Sequence, residues 1–157
     1  MTAPATTSLE DLPGSGDRTK VEPLTGAECW ELLGRAGLGR LGVSRGGFPL
    51  IIPVDYAVHG DRIIVVTDAG PTLSAARQHR VSFEVDKIDR RKRSGWSVLI
   101  QGFAMEVVPG ADGPYEEIAA VSIDPWACGT CDRTLLISPI SIAGRRFSRP
   151  PRRRRRT

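Results

Sequence analysis

Apolar side chains occupy every second position between residues 50 and 58, namely Leu50, Ile52, Val54, Tyr56 and Val58. Successive side chains of a β-strand point to opposite faces, so this two-residue period predicts a strand with one buried face. The other face carries Ile51 and Pro53 and is therefore not simply exposed to solvent. Because proline cannot donate to a sheet ladder, Pro53 indicates an edge, a bulge or a stretch that faces a ligand.

Further strand patterns follow this one at short intervals. They comprise a short strand at Leu41 and Val43, the apolar segment Arg62–Thr67, alternation over Val81–Val85, a long pattern over Gly95–Val108 bent at Gly102, and Arg133–Ile140. Residues 59–61 form a turn, so the strands on either side of it make a hairpin. A polar, basic loop is expected from Lys87 to Ser94.

Helices are few and short. Thr25 and Glu28 have the spacing of a capping box and predict a helix start, Pro71 suits the first residue of a second helix, and residues 115–121 favour a third. Strands dominate and no repeat is visible. The order predicts a mainly β fold, an antiparallel barrel with flanking helices. It does not suit a parallel doubly wound sheet, which needs more crossover helices.

Charge is distributed unevenly along the chain. The last 13 residues contain 8 of the 22 basic side chains and no acid, which leaves 14 basic against 18 acidic side chains in the remainder. The body is therefore mildly acidic, which argues against a wholly basic nucleic-acid-binding domain. The run Arg152–Arg156 is expected to be a disordered, solubilising tail over residues 148–157, with weak contact to a polyanion as the alternative.

The remaining features of the sequence predict an ordinary cytoplasmic protein. Residues 1–23 show no period and read as a disordered lead-in. No apolar run approaches the roughly 18 residues of a membrane span, and no secretion signal is visible. Three cysteines are too few for a disulfide scaffold. The sequence therefore predicts a soluble, reduced protein without a membrane segment.

Candidate catalytic groups are scarce. The sequence has two histidines and lacks the Gly-x-Ser-x-Gly, His-Glu-x-x-His and Walker motifs. One Cys128-x-x-Cys131 pair occurs after Trp126. A zinc site needs about four ligands, and only Cys29 and two distant histidines remain. A plain loop with two thiols is the favoured interpretation, with redox sensing and metal binding as alternatives.

A set of short motifs, taken together, is more specific. In chain order these are Gly39-Arg40-Leu41-Gly42, Pro53-Val54-Asp55-Tyr56, Asp61 to Gly70, Leu73-Ser74-Ala75-Ala76, Phe83-Glu84-Val85-Asp86, Gly95-Trp96-Ser97-Val98 to Gly102, Asp124-Pro125-Trp126 and Gly144-Arg145-Arg146. With these spacings the chain resembles the flavin-binding split-barrel family. It is most similar to small proteins related to pyridoxamine 5'-phosphate oxidase and to nitroimidazole-reducing enzymes. The resemblance covers residues 24–147.

The resemblance implies a six-stranded antiparallel split β-barrel over residues 24–147. It implies a homodimer with two flavin mononucleotides (FMN) in grooves at the interface. The implied cofactor contacts are Pro53, Val54, Asp55 and Tyr56 along the isoalloxazine, Val66, Thr67, Thr72 and Leu73 at the phosphate, and Trp96 and Ser97 from the partner subunit. The implied function is a flavin-dependent oxidoreductase acting on a small molecule. The sequence identifies neither the substrate nor a catalytic residue.

Departures from the family pattern leave two alternatives open. Family members usually carry Arg where this chain has Val66 and Lys where it has Thr72. Charge-assisted hydrogen bonds to the phosphate would be lost, and Thr67, Thr72 and Ser74 would replace them only in part. Asp55 stands where many relatives have Asn. One alternative is a deazaflavin coenzyme, whose anionic tail would lie on Arg90–Arg93. The other is a degenerate, non-catalytic split barrel that serves as a binding protein.

Overall fold

The structure, a computed structural model, describes residues 19–110 and 115–149. Its strands are β1 (Lys20–Leu24), β2 (Leu38–Arg45), β3 (Phe48–His59), β4 (Arg62–Thr67), β5 (His79–Asp89), β6 (Ser94–Glu106) and β7 (Arg133–Ser148). Its helices are α1 (Gly26–Leu33), α2 (Pro71–Ala76) and α3 (Tyr115–Ala119). The tail run 152–156 and most of the predicted N-terminal lead-in lie outside the described residues.

Six antiparallel strands close a barrel. The order is β7-β4-β3-β2-β5-β6, and β6 pairs back onto β7 to complete the circle. This confirms the predicted barrel class, although the sheet has seven strands rather than the six predicted. The seventh strand, β1, pairs with residues 144–148 of β7. Order therefore begins earlier than the lead-in prediction of residues 1–23 allowed, because β7 extends beyond β4 and its backbone groups there pair with β1.

Several predicted boundaries agree with the structure. Strand β4 has the predicted bounds, Pro71 is the first residue of α2, and both hydrogen bonds of the capping box at Thr25 and Glu28 are present. The register between β6 and β7 shifts at Gln101/Gly102, where the bend was expected. Among the described residues, no helix is long and apolar enough to cross a membrane. The cytoplasmic location stays a prediction.

Two predicted boundaries are wrong. Half of the expected loop at residues 87–94 is strand, because β5 and β6 pair up to Asp89 and Ser94 and leave only a short turn over residues 90–93. The last strand runs eight residues beyond the predicted end at Ile140. The polar side chains of both segments do not by themselves predict a strand. In the structure both segments are strands because their backbone groups pair with those of β6.

The inward-facing side chains form one continuous core. Helix α1 closes one end of the barrel, where the buried hydroxyl of Tyr56 donates to the carbonyl of Leu33 at 2.7 Å. The Tyr56 ring also meets Phe83 edge to face at 4.9 Å between centroids. Gly144 on β7 lets α1 approach closely, since a Cβ at this position would lie 2.5 Å from the sulfur of Cys29. The candidate site lies outside this core, around β3, the end of β4 and the start of α2.

Candidate functional site

A pocket of about 320 Å³ lies between the middle of β3, the end of β4 and the start of α2. It is lined by Ile52, Pro53, Val54, Val66, Thr67, Asp68, Ala69, Gly70, Pro71, Thr72, Ala127 and Cys128. Five of the ten predicted cofactor residues therefore meet in one cavity: Pro53, Val54, Val66, Thr67 and Thr72. The volume is at the lower end of the roughly 300–1,000 Å³ typical of small-molecule pockets.

The strand pairing explains why these residues meet. Asp55 on β3 lies opposite Val66 on β4, and β4 ends one residue later at Thr67. Strand β3 therefore has a β4 partner only from Asp55 onward, and Pro53 lies on the part that extends past β4. An interior proline is tolerated along such an uncovered edge, as the sequence indicated. The uncovered edge forms one wall of the pocket.

Residues 126–132, which we call the cap loop, form the opposite wall. Oδ2 of Asp55 accepts the backbone N–H groups of Trp126 at 2.9 Å and Ala127 at 2.7 Å. The Asp55 side chain is almost fully buried, and its Oδ1 has no hydrogen-bond partner among the described residues. Asp55 therefore anchors the beginning of the cap loop from a buried position behind the pocket wall.

Asp68 anchors the other half of the cap loop. Its carboxylate accepts three backbone N–H groups, those of Gly129 at 2.9 Å, Thr130 at 2.7 Å and Cys131 at 2.8 Å, and the Thr130 hydroxyl at 2.9 Å. These donors, chiefly the N–H groups of Cys131 and Gly129, lower the pKa of Asp68 to about 2. Asp68 is therefore an anion at neutral pH, and it lies on the wall of the pocket.

A disulfide joins Cys128 and Cys131 within the cap loop. The prediction of a plain loop with two thiols is wrong in this respect, because the loop brings the two Cα atoms to 5.5 Å, a usual separation for a disulfide. Both cysteines and Asp68 have potential ligand atoms within 4.8 Å of one another. The sulfurs are bonded to each other and the carboxylate is occupied by four donors, so this group does not form a metal site as it stands.

The pocket lacks positive charge. No lysine or arginine is among its lining residues in the part of the chain that the structure describes, and Asp68 adds a negative charge. The lining otherwise consists of apolar side chains and the two threonines Thr67 and Thr72. Such a surface suits a flat apolar ring and hydroxyl groups better than a doubly charged phosphate.

The other predicted cofactor residues do not line the pocket. The side chains of Tyr56 and Leu73 lie in the core. Trp96 packs against the core from β6, and the Ser97 hydroxyl accepts a long hydrogen bond of 3.4 Å from Arg145. Strand β6 is three strands from β3, about 14 Å at the usual spacing. Their predicted cofactor roles stay predictions, and Trp96 and Ser97 would need a second subunit to fulfil theirs.

Other lining residues were not predicted from the sequence. Ile52 and residues 69–71 adjoin predicted positions and follow from them. Ala127 and Cys128 come from the cap loop, roughly 60 residues further along the chain, and no periodic pattern connects them to β4. The Cys-x-x-Cys spacing was the signal available for this loop, and it did not indicate where the loop lies.

The outer surface of the barrel carries a second feature, which we call the outer apolar face. It consists of Ile51, Leu99, Phe103, Met105 and Ile140, each at least 38 % exposed. The strand registers place Ile51, Gly42, Ser82, Gln101 and Ser141 in one row across five strands, and Leu99 and Phe103 flank Gln101 on the same face of β6. A shallow cavity of about 630 Å³ lies along this row. Clustered exposed apolar groups typically mark an interaction surface.

Comparison with known proteins identifies relatives over most of the chain. The sequence model of a family described as pyridoxamine 5'-phosphate oxidase matches residues 25–146. An uncharacterized protein of Mycobacterium tuberculosis is 31 % identical over 127 residues, which are 76 % of this chain and 81 % of that protein.

Two solved structures are similar to this chain in fold. The FAD binding protein from Mycobacterium smegmatis is 29 % identical with a TM-score of 0.63, covering 82 % of this chain and 99 % of that one. A FAD-binding protein from Mesorhizobium loti is 22 % identical with a TM-score of 0.68, covering 83 % and 99 % of the two chains, and shows the shared fold.

Proposed function

This chain belongs to the pyridoxamine 5'-phosphate oxidase family, and on that premise we propose that it binds a flavin nucleotide and acts as a flavin-dependent oxidoreductase. The observation that carries the proposal is the pocket in which Pro53, Val54, Val66, Thr67 and Thr72 meet. The family resemblance implies flavin contacts at these positions. The M. smegmatis relative that is named for FAD binding supports the same cofactor class.

Charge favours FAD over the FMN that the resemblance implied. The terminal phosphate of FMN is a monoester, and such a group carries about −1.5 to −2 at pH 7. In FAD the two negative charges are spread over the two phosphorus centres of a pyrophosphate, each of which carries one ester. A pocket that has no cation among its described lining residues and contains the Asp68 carboxylate penalises a concentrated charge more strongly. We therefore propose FAD as the preferred flavin.

A homodimer would complete the site. The pocket of about 320 Å³ is too small to enclose a whole flavin nucleotide, so part of the cofactor would lie along the outer surface of the barrel. The outer apolar face offers a surface for a second copy of the chain. In a dimer, Trp96 and Ser97 of one subunit are free to approach the cofactor of the other, as the resemblance implies.

Each part of the site has a role in this proposal. The bound flavin supplies the electron or hydride transfer, so the protein needs no catalytic acid–base pair. Ile52 and Pro53 provide an apolar wall, the hydroxyls of Thr67 and Thr72 offer donors to polar groups, and the cap loop restricts water access. The electron donor and the small-molecule substrate are not specified by these contacts.

The proposal is tested by titrating the apoprotein with FAD, FMN, riboflavin and a deazaflavin coenzyme, using calorimetry and the absorption spectrum. We expect FAD to bind more tightly than FMN. The variant Val66→Arg/Thr72→Lys should bind FMN at least about tenfold more tightly, since each charge-assisted hydrogen bond contributes about 1.5–3 kcal/mol. Val21→Arg/Thr19→Lys adds the same charges on and beside β1, away from the pocket, and should leave FMN affinity unchanged.

The same titration separates the alternatives. Tight binding of the deazaflavin coenzyme with weak binding of both flavins would replace the flavin proposal by the deazaflavin reductase. The turn over residues 90–93, which was predicted to hold its anionic tail, joins β5 to β6 and does not line the pocket within one subunit. If none of these molecules binds to the wild type or to the double variant, the flavin proposal is refuted and a non-catalytic binding protein remains.

A further inference from the structure

The cap loop is held by more attachments than an ordinary surface loop. Asp55 holds its beginning and Asp68 its second half, through five backbone N–H groups in all. The disulfide lies between these two anchors, and Cys128 contributes to the pocket wall. The cross-link therefore acts on the segment of the loop that borders the candidate cofactor site.

Stabilisation of the whole fold does not explain this disulfide. The two cysteines are three residues apart, so the bond closes a very short loop. In the chain-entropy view, the stabilisation from a disulfide increases with the length of the loop that it closes. The carboxylates of Asp55 and Asp68 already attach the same segment to the barrel. The specific effect of the disulfide is thus local, on the conformation of the cap loop.

The conformation of Cys131 depends on this local constraint. Its φ is +51°, in the left-handed region that residues other than glycine seldom adopt. In this conformation its N–H points to Asp68 at 2.8 Å. Without the cross-link, Cys131 is free to return to a more favourable backbone conformation, and that movement would break the hydrogen bond to Asp68 and loosen the wall at Ala127 and Cys128.

The loop that holds the two sulfurs is also partly exposed to solvent. Both cysteines are half-buried, while Gly129 and Thr130 between them are exposed. Disulfides of this kind in reducing compartments are usually catalytic or redox-sensing. The third cysteine, Cys29, lies on the buried face of α1 and is not bonded to either of them. Exchange with an external thiol is therefore confined to the cap loop.

We propose that Cys128 and Cys131 form a reversible redox site through which a dithiol reductant controls how tightly the cap loop covers the cofactor pocket. A thiolate of the reductant attacks one sulfur and breaks the Cys128–Cys131 bond, forming a mixed disulfide. The second thiol of the reductant then displaces the protein thiolate. The protein gains two electrons and two protons as two thiols, and the reductant becomes a disulfide. The reverse exchange restores the closed loop.

The proposal rests on the proposed function only for the identity of the molecule in the pocket. Its test uses the full chain with and without dithiothreitol, and thiol alkylation followed by mass spectrometry of the denatured protein. One alkylated cysteine is expected before reduction and three after it. Hydrogen–deuterium exchange in residues 126–132 should then rise by about tenfold, as expected for the loss of a hydrogen bond. FAD should dissociate faster from the reduced protein.

Two variants serve as controls. Cys128→Ser/Cys131→Ser should exchange hydrogen like the reduced protein and should not respond to dithiothreitol. Cys29→Ala should respond like the wild type. The redox site is refuted if the native disulfide resists dithiothreitol, or if reduction leaves exchange in the cap loop unchanged. A cap loop that responds to reduction in a protein that binds no flavin would support the redox site while refuting the proposed cofactor.

Discussion

Two aspartates show how much the role of a residue depends on its surroundings. The family resemblance implied a place beside a flavin ring for Asp55 and no particular role for Asp68. In the structure both accept backbone N–H groups from the same loop, which begins more than 55 residues later. Carboxylates that accept several N–H groups are strong anchors because the bonds are charge-assisted. The cap loop therefore owes its position to these two side chains.

The Asp68 anchor makes stability depend on pH. Its pKa is about 2 in the folded protein, below the ordinary value of about 3.9. The stabilisation is therefore complete above about pH 4 and is lost as the pH falls through 2. Asp68→Asn should be less stable than the wild type at pH 7, and the difference in unfolding free energy should shrink between pH 4 and 2. Urea denaturation at a series of pH values measures this.

Asp61→Asn is the control for that experiment. The Asp61 side chain is 90 % exposed, and its nearest cation, Arg62, is 4.0 Å away. The free energy of unfolding of Asp61→Asn should differ little from that of the wild type at every pH. A difference for Asp68→Asn that stays constant between pH 4 and 2 would contradict the assigned anchoring role.

Tyr56 provides a second prediction for a single residue. Burial raises the pKa of Tyr56, so the hydroxyl stays protonated and keeps donating to the carbonyl of Leu33. Tyr56→Phe should lower the free energy of unfolding by about 1 kcal/mol. Cofactor affinity should not change, because the side chain faces the core. Tyr115→Phe is the matched control, and a loss of cofactor affinity specific to Tyr56→Phe would favour a direct contact.

Among the secondary structure elements, the packing of α1 on β7 depends on a single glycine. At Gly144 an added Cβ would lie 2.5 Å from the Cys29 sulfur and 3.0 Å from Cδ1 of Leu24. Helix α1 also receives the Tyr56 hydroxyl bond at Leu33, so it cannot move away without losing that contact. The β1–α1 segment is thus fixed to the barrel at both ends of the helix.

Gly144→Ala should therefore destabilise the protein by about 1–3 kcal/mol, the usual cost of overpacking a core. Gly37→Ala is the control, because nothing lies within 4 Å of a Cβ built there and its φ is not positive. Urea denaturation of both variants gives the comparison. If Gly144→Ala and Gly37→Ala had equal free energies of unfolding, α1 would be able to shift away from β7, and its close approach to Gly144 would not be required.

At the scale of the whole molecule, the exposed apolar side chains bear on whether the protein is a monomer or a dimer. The outer apolar face exposes Ile51, Leu99, Phe103, Met105 and Ile140 across several strands. In a monomer these side chains would be exposed to water, and the candidate cofactor pocket would remain open along the side of β3 that carries Ile51. In the proposed dimer, a single interface would cover both the apolar side chains and the open side of the pocket.

Phe103→Glu should convert a dimer to a monomer, because a charge at the centre of an apolar interface loses its hydration without gaining a partner. Sedimentation velocity measures the change, and flavin affinity should fall with it. Val21→Glu is the control on β1, where the side chain is 57 % exposed outside the outer apolar face. A wild-type protein that sediments as a monomer would contradict the proposal, as would a Phe103→Glu dimer.

Much of the fold follows from patterns that span a few residues. The two-residue period of β3, the bounds of β4, the capping box at Thr25 and the helix start at Pro71 are all local, so the sequence alone determined them. The order of these elements also led to the barrel class, and the short motifs with their spacings led to the family resemblance. The family resemblance also pointed to Pro53 and Val66, which line the pocket.

The tertiary structure alone decided how distant segments meet. Every residue except proline carries a backbone N–H, so no sequence pattern indicates that Asp55 and Asp68 accept those of the cap loop. The pairing of β1 with β7 likewise depends on backbone groups left uncovered at the end of a long strand. The Cys128–Cys131 spacing permits a disulfide, a metal site or two thiols, and only the folded loop selects the disulfide. Local periods are encoded residue by residue, whereas these contacts depend on where the chain returns in space.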